Sequence, residues 1–100
     1  MYAITRRYNH ATALIDAIIP RAQEVEELLK DVPGFVSYYA IRSGATLMTV
    51  SVFDEQGHAD ESTRRVREWV EKNLPKGAVP PPETSGGEVF VHFATEHART

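Results

Sequence analysis

The chain has 100 residues, of which 42% are hydrophobic and 25% charged, and its formal net charge is −3. This size and composition are typical of one globular domain, so we expect a single domain over residues 1–94 and a short tail over residues 95–100. The acidic residues are dispersed and no basic patch is present, which argues against nucleic acid as a partner. Because the sequence has no cysteine, disulfides, thiolate catalysis and thiolate metal sites are excluded.

The N-terminal region resembles a secretory signal only faintly. Arg6 and Arg7 precede an apolar run, but His10 and Asp16 interrupt that run, and no small-residue cleavage site follows. No run reaches the roughly 18 apolar residues that a membrane span needs. We therefore expect a cytoplasmic protein with no membrane partner.

The first third of the chain predicts a strand followed by a helix. Residues 2–8 alternate with a period of two, which indicates a strand. Thr12 is a candidate N-cap, and apolar residues then recur every three or four positions as far as Lys30. Pro20 removes a backbone donor inside this stretch, so one kinked helix and two separate helices are both possible. The in-phase apolar stripe favours the kinked helix, which Pro33-Gly34 ends.

A β-hairpin is the strongest local signal, because two runs rich in β-branched and aromatic residues flank Ser43-Gly44. A two-residue turn pairs Arg42 with Ala45 and divides the side chains between two faces. The face that we expect to carry the helices and any pocket contains Phe35, Tyr39, Met48 and Val50. The face that we expect to contact a second copy of the chain contains Tyr38, Leu47 and Phe53. Neither face is polar throughout, and each large apolar side chain left in water forgoes roughly 1.5–3 kcal/mol, so we predict a homodimer.

The last part of the chain predicts a second helix and a final strand. Residues 55–74 form an amphipathic pattern with Trp69 on the apolar stripe, and Asp54 is a candidate N-cap. Residues 75–87 are rich in proline and glycine and predict a long surface loop. Residues 88–94 alternate Val89, Val91 and Phe93 with Phe90 and His92, so we predict a strand there.

The predicted order is β-α-β-β-α-β, which is the ferredoxin-like arrangement of an α+β protein: a four-stranded antiparallel sheet with two helices on one face. The stretches Pro33–Tyr39 and Val50–Asp54, together with Trp69, resemble the dimeric α+β barrel superfamily. More narrowly, they are similar to the small antibiotic-biosynthesis-monooxygenase-like proteins. This resemblance implies a sheet-to-sheet homodimer, the dimeric α+β barrel.

The same resemblance suggests where a ligand would bind. Ligands in this superfamily are held between the sheet and its helices, and members include cofactor-independent oxygenases and haem-degrading enzymes. The haem-degrading relatives use an asparagine at the first strand and a tryptophan and a histidine on the second helix. Asn9 and Trp69 match the first two, but the nearest histidine, His58, lies at the start of that helix. This departure argues against haem cleavage.

Five residues are candidates for lining a ligand pocket. Their aromatic rings, hydroxyl groups, amide and imidazole could hold an aromatic substrate and stabilise its anion. They are Tyr8, Asn9, Tyr39, Trp69 and His92. Each also has a structural explanation: Trp69 is in phase with an apolar stripe and suits the core, and His92 suits a hydrogen-bonded interior position. Arg6, Arg7 and Arg42 are expected to be solvated or paired with acids.

Two classes of function follow from these features. The four histidines show no metal-ligand spacing and there is no phosphate-binding glycine loop, so we expect no metal and no cofactor. Because no acid–base pair is fixed by spacing, the first hypothesis is a non-catalytic dimer that binds a small hydrophobic or aromatic ligand. The alternative is a cofactor-independent monooxygenase-like enzyme acting on a small aromatic or polyketide-like substrate. A pocket of roughly 300 Å3 or more, reached by Trp69 and at least two of Tyr8, Tyr39 and His92, would favour the enzyme. A cleft filled by its own side chains would favour the binding module.

Overall fold

A four-stranded antiparallel sheet in the order β2-β3-β1-β4 forms the centre of the protein, in a computed structural model that describes residues 1–94. The bounds of its strands are β1 Tyr2–Tyr8, β2 Phe35–Ser43, β3 Thr46–Phe53 and β4 Glu83–Glu88. One face of the sheet is covered by the helices α1 (Thr12–Ile18), α2 (Ala22–Lys30) and α3 (Gln56–Asn73). The predicted ferredoxin-like α+β fold is confirmed.

The first predicted helix follows one helical path whose hydrogen bonding changes at Pro20. This proline lies in a single 3₁₀ turn, Ile19–Arg21, which joins α1 to α2. The α-helix is therefore interrupted at Pro20, where the missing N–H predicted a change. The 3₁₀ turn is intermediate between one kinked helix and two separate helices. Thr12 is the first helical residue, and the N-cap is Ala11, which makes no side-chain capping bond. No helix within residues 1–94 is long and apolar enough to cross a membrane.

The hairpin turn lies one residue later than predicted. Ser43 pairs with Thr46 and Arg42 pairs with Leu47, so the turn is Gly44-Ala45, with Gly44 at a φ of 60°. The predicted pairing of Arg42 with Ala45 is wrong by two positions along β3. Because two is an even number, most residues keep the face that the prediction gave them.

Phe35 is the exception to that rule. A bulge between Phe35 and Ser37 moves the Phe35 side chain to the same face as Phe53, where the two rings make an edge-to-face contact with centroids 5.8 Å apart. A bulge adds one residue to one strand, so every side chain before it changes face. The alternation of the sequence gave no sign of this irregularity.

The predicted roles of the two sheet faces are reversed. Leu47 and Phe53 are buried beneath the helices, whereas Tyr39 is 58% exposed on the opposite, open face. In the sequence, the sheet face that packs against the helices is the less apolar of the two, because it includes Thr49 and Ser51. Both residues are nevertheless buried. Small hydroxyl residues can be buried in this way when their polar atoms find partners, and Ser51 does so, whereas the Thr49 hydroxyl has no partner among residues 1–94.

The last strand lies at residues 83–88, and the prediction of a strand at residues 88–94 is wrong. β4 pairs with β1 through its backbone, although its sequence, Glu-Thr-Ser-Gly-Gly-Glu, has no apolar alternation. Gly86 leaves room for the Tyr2 ring, because a Cβ there would lie 2.8 Å from the Tyr2 hydroxyl oxygen. Phe90 and Phe93, which suggested the strand, are each 91% exposed. The predicted tail, residues 95–100, lies outside the described residues.

α3 begins after a polar junction that joins β3 to the helix. Its predicted bounds are confirmed to within one residue, but Glu55 is the N-cap in place of Asp54. Asp54 instead accepts a hydrogen bond from Nδ1 of His58, at 2.6 Å. This bond lowers the pKa of Asp54 and raises the pKa of His58 from their ordinary values of 3.8 and 6.5. The pair is exposed, so it affects the pH dependence of stability more than its absolute level.

We expect His58→Gln to remove a pH-dependent part of the stability. Because folding raises the pKa of His58, protonated His58 stabilises the fold fully below pH 6.5. This stabilisation is lost as the pH rises through the folded-state pKa. Because folding lowers the pKa of Asp54, the ionised Asp54 carboxylate stabilises the fold above pH 3.8. This stabilisation is lost as the pH falls through the folded-state pKa. Urea unfolding from pH 3 to 9 should therefore show the largest difference between wild type and variant between about pH 4 and 6.5. Asp54→Asn should give the same profile, and a constant difference across the range would contradict the assignment.

Candidate functional site

The space between the sheet and its helices is almost filled by the protein's own side chains. A cavity of about 20 Å3 remains there, and its wall includes Tyr8, Tyr38 and Trp69. A drug-sized ligand needs roughly 300–1,000 Å3, whereas one water molecule needs about 15 Å3. The interior between sheet and helices is therefore a packed core with one small gap.

A larger space opens beside this core. A groove of about 560 Å3 runs between α3, β1 and the proline-rich segment of residues 76–82. The apolar part of its wall is formed by Tyr8, Val66, Val70, Val79, Pro80, Pro81 and Pro82, and the polar part by Arg6, Thr63, Arg67, Glu71, Lys76 and Thr84. Its volume is in the range of small-molecule sites.

The groove and the interior cavity share a wall. Arg6, Tyr8, Val66 and Val70 line both spaces. The two β1 residues reach this position because alternate residues of a strand point to one face, and the two valines lie one helical turn apart on α3. A ligand in the groove would therefore contact the edge of the core.

Arg6 is the most unusual polar residue of this wall. It is only 3% exposed, and its Nη1 donates to Ser51 Oγ at 3.2 Å. Its Nη2 donates to Thr63 Oγ1 at 2.6 Å and to Ser62 Oγ at 3.4 Å. Its Nε is buried and has no partner among residues 1–94. Burial lowers the pKa of Arg6. An arginine side chain nevertheless stays protonated in proteins, so a positive charge lies at the base of the groove.

Two tyrosines lie near this cation. Burial raises the pKa of the Tyr8 hydroxyl, and burial, followed by the proximity of Tyr8, raises that of Tyr38 to about 12. Arg6 opposes both shifts but is the smaller influence. Both phenols are therefore neutral at physiological pH, where they can donate hydrogen bonds but are poor general bases.

Trp69 links the helices to one another. Its ring is 7% exposed within the larger core cluster, and its Nε1 donates to Glu24 Oε1 at 2.8 Å across to α2. Its backbone carbonyl accepts a hydrogen bond from Asn73 Nδ2 at 2.8 Å. These contacts make Trp69 a core residue whose edge also borders the small cavity.

The structure brings two of the five candidate pocket residues together. Tyr8 and Trp69 line the interior cavity, and Tyr8 also lines the groove. Asn9 is half-buried just after β1, Tyr39 lies on the open face of the sheet, and His92 is exposed after β4. His92 is therefore not on the strand where its alternation suggested an interior position.

Sequence reasoning missed Arg6 and the proline-rich wall. Arg6 was expected to be solvated or paired with an acid, yet it is buried among hydroxyl groups. The signal was present, because the alternation of β1 puts Arg6 on the same face as Ile4 and Tyr8. An arginine between two apolar residues of one strand face is a candidate for a buried functional cation.

Comparison of whole structures identifies the fold. No protein-family model matches the sequence, and no curated protein matches it. A protein of unknown function from Nitrosomonas europaea is similar in structure, with a TM-score of 0.72 and 15% identity over 94% of this chain and 93% of that one. A dimeric ferredoxin-like protein from an uncultured marine organism gives a TM-score of 0.68 at 8% identity over 94% and 98%. An antibiotic biosynthesis monooxygenase gives 0.62 at 12% identity over 89% and 98%.

The chain has the fold of the antibiotic-biosynthesis-monooxygenase-like proteins. At these identities the similarity establishes the fold and leaves the chemistry to the residues. Trp69 and His58, which the sequence offered as possible counterparts of haem-cleaving residues, have other partners in this structure. Trp69 is tied to Glu24 in the core, and His58 is bonded to Asp54 in the first turn of α3, while residues 59–73 of that helix contain no histidine.

We expect Trp69→Ala to lower the free energy of unfolding by about 3–5 kcal/mol, because it removes a buried indole and opens a cavity. Trp69→Phe keeps most of the ring but loses the bond to Glu24, so its loss should be smaller. Urea unfolding followed by circular dichroism measures both variants. A loss near zero for Trp69→Ala would mean that Trp69 is the wall of a pocket and not part of the core.

Proposed function

We propose that the protein binds a small hydrophobic or aromatic ligand in the groove between α3, β1 and residues 76–82. The groove of about 560 Å3 with an apolar wall is the observation that carries this proposal. Tyr8, Val66, Val70 and the three prolines would contact the apolar body of the ligand. This site lies at the edge of the sheet–helix layer, beside the filled interior where the resemblance alone would place a ligand.

Binding without catalysis is the function that the groove supports best. The two phenols near its base are neutral at physiological pH, so neither supplies a ready base. The cavity that Trp69 borders holds about 20 Å3, far less than a substrate requires.

A cofactor-independent monooxygenase acting on a small aromatic or polyketide-like substrate is the second candidate. What favours it is the buried Arg6 cation near the Tyr8 and Tyr38 hydroxyls, a set of groups that would stabilise an aromatic anion. The monooxygenase among the similar structures supports it only at the level of the fold.

We expect 2-naphthol to bind the wild-type protein and Val70→Asp to weaken that binding by about tenfold or more, because a charge replaces an apolar part of the groove wall. Val36→Asp, on the exposed part of β2, is the matched control and should bind as wild type does. Titration calorimetry measures the affinity, and an oxygen electrode measures oxygen uptake in the same mixtures. Absence of binding would contradict the proposed function, and oxygen uptake would move the second candidate ahead.

The open face of the sheet supports a homodimer as the working state. Tyr39, Ile41 and Met48 are 58%, 49% and 40% exposed on this face. A contiguous apolar patch of this kind commonly marks a protein–protein contact. A partner packed on it would form the sheet-to-sheet barrel, and one of the similar structures is a dimeric ferredoxin-like protein. The face proposed here is the opposite of the one that the sequence suggested. The cytoplasmic location stays a prediction from the sequence.

We expect the protein to sediment as a dimer at about 10 μM, because a stable homodimer has a dissociation constant below this concentration. Ile41→Glu places a charge on the proposed contact and should shift the species to monomer. Ile19→Glu, at a position that is 60% exposed on the helical side, is the matched control and should leave the dimer intact. A wild-type monomer would contradict the proposal.

A further inference from the structure

The buried guanidinium of Arg6 has no negative partner in the part of the chain that the structure describes. Its hydrogen bonds go to the hydroxyls of Ser51, Ser62 and Thr63, and within residues 1–94 no carboxylate forms an ion pair with it. Hydroxyl groups solvate a cation but do not neutralise it. A charge that is 97% buried in this way is costly to the folded state, so its presence calls for an explanation.

The guanidinium still has donors to offer. It carries five N–H groups, and three of them are used by the hydroxyls, so two remain. One of the two is on Nε, which is buried and unpartnered. Arg6 lines the groove as well as the interior cavity, so both spaces border the residue that carries these donors.

The charges around the groove are predominantly positive. Among residues 1–94, Arg67 and Lys76 line it together with Arg6, against the carboxylate of Glu71. This excess of positive charge occurs in a chain whose formal net charge is −3. A groove with an excess of one sign of charge and an apolar wall attracts ligands of the opposite sign.

A purely structural role explains the observations less well. The three hydroxyl bonds tie β1 to β3 and α3, but a neutral donor could make such bonds without placing a charge in the core. The unpartnered Nε and the position of Arg6 in the groove wall are features that an anionic ligand would use.

We infer that the ligand is an apolar or aromatic carboxylic acid whose carboxylate binds Arg6, while its body packs against Val66, Val70 and Pro80–Pro82. This inference rests on the proposed function and adds the chemical class of the ligand. A carboxylate can accept two N–H bonds from one guanidinium, and it neutralises the buried charge.

The test compares two probes of equal size in titration calorimetry at pH 7 and low salt: 2-naphthoate, which is an anion, and 2-naphthamide, which is neutral. Wild-type protein should bind 2-naphthoate about tenfold or more tightly than 2-naphthamide. Arg6→Met should lose this preference by lowering the affinity for 2-naphthoate and leaving that for 2-naphthamide unchanged. Arg21→Met removes the same charge from an exposed position in the 3₁₀ turn and should keep the preference.

The possible results separate the two proposals. Equal binding of the two probes by wild type overturns the carboxylate inference and leaves the proposed function standing, whereas binding of neither overturns both. A preference that survives in Arg6→Met overturns the assignment to Arg6. Urea unfolding checks that the variant is folded at the temperature and buffer of the titration. If Arg6→Met does not fold, Arg6→Gln takes its place, and the wild-type comparison still decides the carboxylate.

Discussion

The pairing of β1 with β3 in the middle of the sheet is the constraint on which the rest of the structure depends. Tyr8 lies opposite Leu47, and Arg6 lies opposite Thr49. Because side chains alternate along each strand, this register puts the apolar anchors and the buried cation on the same face. α3 must then cover that face, and it does so with small hydroxyl residues where it crosses Arg6 and with valines where it crosses Tyr8.

The burial of Arg6 shows how stability and binding are balanced in this fold. A methionine would fill the same space without a desolvated charge, so the arginine is a feature that folding alone does not require. Natural proteins retain such groups where binding uses them, and the proposed ligand in the groove beside Arg6 would give this one a use. Trp69 has the opposite character, since its ring and its bond to Glu24 both serve the packing of α2 on α3.

Much of the fold could be predicted from the sequence because its elements have strong periodic patterns. The alternation of residues 2–8, the helical stripes and the hairpin each identified an element, and Pro20 identified the break between α1 and α2. The roles of the hairpin faces could not be predicted, because Thr49 and Ser51 look like surface residues until Arg6 is placed beside them. β4 could not be predicted either, since a strand held by its backbone alone carries no side-chain pattern. Of the candidate site, Tyr8 was named from its residue type. Arg6 was missed although the alternation of β1 placed it on the same face as Tyr8, and its lack of an acidic partner among residues 1–94 is a property of three-dimensional packing.

The three prolines that form one wall of the groove have a consequence for the cost of binding. A proline ring fixes φ, and consecutive prolines favour one extended backbone form, so residues 80–82 have few other conformations to lose. A flexible loop would lose much of its conformational entropy when a ligand ordered it, whereas the proline rings have already restricted this segment. A ligand that bound against this wall would therefore keep more of its contact energy as affinity.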